Sequence, residues 1–217
     1  MYKRQFHLSA KNNGGVVTAE FVGCGMPKKN QRKSTTDWSN ATTANGLQDI
    51  EDTVVAASAE GVTIRYVVMH VADFSLLKKQ KSTFDTLKAW VNSSSKILVT
   101  KNLINEYLAE QEIPVKIITV NPAVRIEDSA HRRKTINPWE RKRVCFLEDL
   151  KVGDIQHGPI AAESSATLQK IALMVKQDWI LVTKWSELEP FKEWTKAEAN
   201  AIPVVNDPDA MFIMKVD

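Results

Sequence analysis

The feature that most constrains this chain is a change of hydrophobic period on either side of Gly61. Before it, Leu47, Ile50, Val54 and Ala57 recur at helical spacing, and the glycine stands where a helix needs a C-terminal stop. The spacing predicts one long helix from about Asn40 to Glu60. Its acidic residues Asp49, Glu51 and Asp52 fall off the apolar stripe, so a surface helix with one buried face is expected. After the glycine, Ile64 to Met69 is an apolar, β-branched run of the kind that forms a buried strand.

The same reading extends along the chain. Phe6, Leu8 and Ala10 alternate before Lys11-Asn12-Asn13-Gly14-Gly15, and Val17, Ala19 and Phe21 alternate after it, which predicts a hairpin around an Asn-Gly turn. A two-stranded hairpin is only marginally stable alone and needs a neighbour. Gly23-Cys24-Gly25-Met26-Pro27 breaks the second strand, and the polar, basic stretch Lys28 to Thr36 reads as a mobile loop. Short helices are expected near Asp73 to Lys79 and Ser82 to Val91, and an amphipathic helix at Thr100 to Glu110. Strands are expected at Val115 to Val120, Arg143 to Leu147, Trp179 to Lys184 and Ala210 to Val216. Further helix is expected around Ser164 to Val175 and from Leu188 to Asn200, where Pro190 fits only the first turn. Helices and strands mixed without regular alternation favour an α+β fold over a doubly wound parallel sheet.

Composition narrows the function classes. With 217 residues, 43 % of them apolar and 25 % charged, the chain can bury a real core and is neither disordered nor fibrous. No apolar run approaches the roughly 18 residues of a membrane helix, and Met1-Tyr2-Lys3-Arg4 is not followed by the apolar core of a secretory signal. Cys24 and Cys145 are too few for a disulfide scaffold and lack metal-ligand spacing, which predicts reduced thiols. A net charge of +3 is weak for a general nucleic-acid binder, yet the positive charge is clustered. Lys28, Lys29, Arg32 and Lys33 form one group; Arg132, Arg133 and Lys134, with Arg141, Lys142 and Arg143, form another. The plain reading is solvated loops, and the functional one places them against phosphate backbone or acidic patches on a neighbouring subunit.

Chemistry needs motifs that this chain lacks. None of its 8 glycines sits in a Walker or dinucleotide arrangement. His7, His70, His131 and His157 are scattered singly, and no Gly-x-Ser-x-Gly marks a nucleophile. Cys24, between two glycines and ahead of basic residues, is the one thiol whose surroundings could lower its pKa. No cofactor and no metal is expected. Six tryptophans, Trp38, Trp90, Trp139, Trp179, Trp185 and Trp194, either pack the core or anchor contacts between subunits.

A series of short segments gains meaning from its order. Gly25-Met26-Pro27 ends an extended segment, and Thr36-Asp37-Trp38 precedes the helix Ala44 to Gly61. Val67-Val68-Met69 is followed by Ala72-Asp73-Phe74, and Asn137-Pro138-Trp139 by the strand Val144 to Leu147, Gly158 and Glu163. Pro190, Ala199, Ile202-Pro203-Val204 and Asp207-Pro208-Asp209-Ala210 lead into the final strand, with Lys215-Val216. In this order they resemble the major capsid protein E family of lambda-type tailed phages, whose subunits adopt the Hong Kong 97 capsid fold.

The resemblance implies a structural coat protein, not an enzyme, located in the virion capsid and made in the bacterial host cytoplasm. It implies an extended-loop hairpin at residues 1–36, and a peripheral domain from 37–61 and 178–217 that includes a long spine helix. Residues 62–177 would form an axial domain around the centre of each hexamer or pentamer. Implied partners are copies of the chain itself, scaffolding, decoration or portal proteins, and packaged double-stranded DNA held by weak, non-specific contact, with no membrane. Members of the family are longer, so the resemblance also implies that an N-terminal arm is lacking. Two rival readings stand beside it: a nucleic-acid-binding module using the two basic groups, and a small enzyme using Cys24.

Overall fold

The helix expected before Gly61 forms as α1 (Gly46–Ala59), shorter at its start than the sequence predicts because residues 41–43 make a turn. Leu47, Ile50, Val54 and Ala57 are buried as the spacing requires. Gly61 adopts a φ of 79°, the left-handed conformation that glycine enters without strain, and its amide bonds the Ser58 carbonyl at 3.0 Å. The computed structural model describes residues 8–11, 17–21, 26–92, 97–127, 132–137, 139–158, 173–177, 179–188 and 191–217. Helices and strands are mixed without alternation, so the molecule is α+β, as expected.

The apolar run after Gly61 becomes β4 (Tyr66–His70), the fourth strand of a five-stranded sheet. Its neighbours are β5 (Lys116–Val120), parallel, and β8 (Arg143–Leu147), antiparallel. Beyond β8 lies the closing strand β14 (Met211–Lys215), antiparallel to it, and then β3 (Gln31–Lys33), parallel to β14. The register aligns Ile117, Val67, Phe146 and Phe212 in one row across the sheet, and Met69, Val144 and Met214 in the next. All seven belong to one apolar core shared with α1, with α3 (Lys81–Trp90) through Leu87, and with α4 (Lys101–Glu110) through Ile104 and Leu108. Between β4 and α3 runs α2 (Val71–Leu77), whose Leu77 is also buried there. Thr100 caps α4 by accepting from the Leu103 amide at 3.2 Å.

Several expectations are corrected. Lys28 to Thr36 is not one loop: residues 28–30 form a 3-10 turn and 31–33 form β3, an edge strand whose polar residues suit the rim of a sheet. Its partner β14 is remote in sequence, so no local pattern announces it. Asp49 does not face solvent; it is buried, with its carboxylate accepting from the Thr35 amide (3.0 Å), the Thr35 hydroxyl (2.7 Å) and the Trp38 indole (2.9 Å). The segment expected as helix from Leu188 to Asn200 contains β12 (Phe191–Ala199), paired antiparallel with β11 (Ile180–Leu188). Of the helix expected around Ser164 to Val175, residues 164–172 lie outside the described residues. Residues 173–175 belong to β10 (Leu173–Gln177), the other neighbour of β11.

The first hairpin forms, with β1 (Leu8–Lys11) antiparallel to β2 (Val17–Phe21); its turn and Phe6 lie outside the described residues. A second two-stranded ribbon, not anticipated, pairs β6 (Val124–Glu127) with β7 (Arg133–Ile136). By contacts the chain divides into two compact units, 1–152 with 207–217, and 153–206. The second unit contains β10 to β12 and a ribbon of β9 (Gly153–His157) with β13 (Ala201–Val205).

Candidate interaction surfaces

The first basic group is divided between structure and surface. Lys29 forms an ion pair with Glu60, the residue that caps α1. Arg32 reaches the Asp52 carbonyl from Nη1 at 3.4 Å. Both cations therefore lie against α1, Lys29 where the helix dipole is negative. Between them Asn30 is buried and donates to the Asp209 and Met211 carbonyls at 2.8 and 3.0 Å, which fixes the 3-10 turn beside β14. Lys28 and Lys33 are exposed.

The second basic group is split. Arg132, Arg133 and Lys134 sit in or beside β7, all exposed. Arg141 to Arg143 instead serve the fold. Asp73, fully buried in α2, accepts from Arg141 Nε at 3.1 Å and from the Lys142 amide at 2.9 Å. Asn137 contacts His70 at 2.9 Å, while His70 Nδ1 accepts from the Ala72 amide at 3.0 Å to cap α2. Together these contacts tie the segment 137–143 to the start of α2. The Lys142 ammonium also faces Asp37, whose carboxyl is held below its ordinary value chiefly by the hydrogen bond from the Ser39 amide and further by Lys142.

Nothing in these surroundings activates the described thiol. Cys145, on β8, is buried, and desolvation pushes its pKa up to about 12 against the opposing charge of Arg143. Cys24, His7 and His131 lie outside the described residues. Of the other histidines, His70 is a helix cap and His157 stacks on Trp179, with ring centroids 4.7 Å apart. Among the described residues no group of three or more His, Cys, Asp or Glu could hold a metal ion, and no described helix is long and apolar enough to cross a membrane.

What the described residues do offer is exposed apolar surface on thin sheets. Trp38 is core, but Trp179 and Trp194 are 58 % and 45 % exposed, and Phe191 is 70 % exposed. Trp194 stacks against Trp185 across the β11–β12 pair. In the first unit, the β6–β7 ribbon exposes every residue, including Val124, Ile126 and Ile136. The sequence held a signal for it, the alternation of Val124 and Ile126 after Asn121-Pro122, too short to stand out. Apolar residues that face water on three-stranded and two-stranded layers are surface of the kind that protein contacts cover.

No curated protein matches this sequence. Among solved structures, a protein assigned as the capsid protein of a prophage of E. coli CFT073 superposes with a TM-score of 0.63 at 14 % identity, over 98 % of this chain and 59 % of that one. A phage-related protein from Bordetella bronchiseptica RB50 gives a TM-score of 0.47 at 12 % identity, over 88 % of this chain and 57 % of its own. The chain thus spans about three-fifths of the length of these structures, and the first of them supports the same fold. The family profile of phage major capsid protein E matches residues 9–216, nearly the whole chain, and the chain belongs to that family.

Proposed function

We propose that the protein is a structural coat subunit of a tailed phage or prophage, which joins copies of itself into hexamers and pentamers of an icosahedral shell around double-stranded DNA. The observation that carries this reading is the family match through residues 9–216. The exposed apolar residues on β6, β7, β11 and β12 support it, because such surface is normally covered by a partner. Many modest interfaces repeated by symmetry give a stable assembly without a single strong site. Scaffolding, decoration or portal proteins are further partners of this reading, and packaged DNA meets exposed basic residues, Lys28 and Lys33 among them, by weak, non-specific contact. The place of action is the virion.

The parts of the fold enter this proposal as the family resemblance implies them. The hairpin within residues 1–36 is the extended loop. Residues 37–61 and 178–217 form the peripheral domain, and residues 62–177 form the axial domain around the centre of each hexamer or pentamer. In that division α1 is the spine helix of the peripheral domain. Purified protein imaged by negative stain and followed by sedimentation across a concentration series tests the function. Rings, tubes or shells are expected; monomer at every concentration refutes it.

A further inference from the structure

We propose that the β6–β7 ribbon of one subunit docks on the acidic C-terminal end of α4 in a second copy of this chain. The inference rests on the coat-subunit reading and names the two surfaces that meet. The ribbon pairs Val124 with Ile136 and Ile126 with Lys134. Opposite residues share a face, so Val124, Ile126 and Ile136 line one side, 46 %, 42 % and 36 % exposed, with Lys134 at its margin. Arg125 and Arg133 project from the other side, together with Glu127, which stands opposite Arg133. Among the described residues the ribbon hydrogen-bonds to no third strand, and two strands with both faces in water are marginal by themselves. An apolar face that carries Lys134, on a ribbon whose other face carries two arginines, is suited to an anionic surface.

This chain carries one in an unfavourable place. Glu106 and Glu110 lie one turn apart at the end of α4, and Glu112 stands just past the capping Gln111, all three exposed. Like charges at that spacing repel, and the helix C-terminus is itself the negative end of the dipole. The last turn of α4 contains no basic residue. At the end of α1 the same problem is answered within the chain, where Lys29 pairs with Glu60. At α4, Glu110 accepts from the Trp90 indole at 2.7 Å, while Glu106 and Glu112 have no ion-pair partner among the described residues. Arg125, Arg133 and Lys134 likewise have none. A helix end with Glu106, Glu110 and Glu112 and no basic residue, and a ribbon with Arg125, Arg133 and Lys134 against the one carboxylate of Glu127, fit a head-to-tail contact. Such a heterologous contact closes into a ring when its rotation permits.

Two double variants test it, R133E with K134E on the ribbon and E106K with E112K on α4, all at exposed positions and checked for native folding by circular dichroism. Self-association is followed by sedimentation velocity, and duplex DNA binding by fluorescence anisotropy. Each variant alone is expected to associate on the order of tenfold or more weakly than the wild type. An equal mixture of the two should restore association, with the variants alternating around a ring. Wild-type association that survives in both variants overturns this contact while leaving the coat-subunit reading intact. Loss of DNA binding in the ribbon variant with association unchanged also overturns it, in favour of a nucleic-acid surface. A wild-type chain that never associates overturns both.

Discussion

A single buried carboxylate shows how far one residue can organise its surroundings. Asp49 sits in the first turn of α1 and accepts three hydrogen bonds from Thr35 and Trp38, so it holds the segment after β3 against the helix that follows it. Asp49→Ala would leave a buried indole N–H and a backbone amide without an acceptor, at a cost of about 2–4 kcal/mol. Asp49→Asn keeps one acceptor oxygen and should lose less; urea denaturation of the two variants distinguishes them. Cys145 makes a pH-dependent prediction. Its thiol ionises near 9.0 in the unfolded chain but only near 12 when folded, so its contribution is complete below pH 9 and is lost as the pH rises toward 12. The slope is at most about 1.4 kcal/mol per pH unit. The stability difference between wild type and Cys145→Ala should be flat in neutral solution and shift against the wild type above pH 9. A difference that stays flat to about pH 11 contradicts the burial of this thiol.

Among the elements, α1 follows closely from its sequence and β12 does not. The stripe of Leu47, Ile50, Val54 and Ala57 needs only an apolar surface to pack on, whatever that surface is. Its first residue depends on more. A Cβ at Gly46 would lie 2.5 Å from Leu77 and 2.8 Å from the Gln80 amide oxygen, to which the Gly46 amide already donates. Gly46→Ala should therefore destabilise the protein by about 1–3 kcal/mol, although alanine favours helix, and thermal unfolding measures it. β12 reads as helix because Lys192, Glu193, Lys196, Ala197, Glu198 and Ala199 are good helix formers. It is a strand because β11 offers it nine paired positions, from Leu188 opposite Phe191 to Ile180 opposite Ala199.

Across the whole molecule, protection should follow the layers. The amides of β4, β8 and β14, whose side chains are nearly all buried, should exchange most slowly, and those of β6 and β7 fastest in the isolated chain. Hydrogen exchange read by mass spectrometry checks this, and on assembly the ribbon should gain protection. Uniform protection of sheet and ribbon in the isolated chain would contradict it.

The sequence by itself determined the α+β class, α1 to α4, the first hairpin, the strands of the central sheet other than β3, and, through the order of its short motifs, the family. Those features are local: a periodic stripe, a cap or a turn residue states them within a few positions. Only the tertiary structure decided that Gln31 to Lys33 would be a strand, that Asp49 would be buried, that residues 191–199 would pair instead of coiling, and that the ribbon would stand exposed. β3 depends on β14, far away in the chain, while β12 and the ribbon are decided by pairing with the neighbouring strand rather than by the propensity of their own residues. Neither hydrogen bonding to a distant strand nor burial by a distant segment leaves a periodic mark on the residues that undergo it.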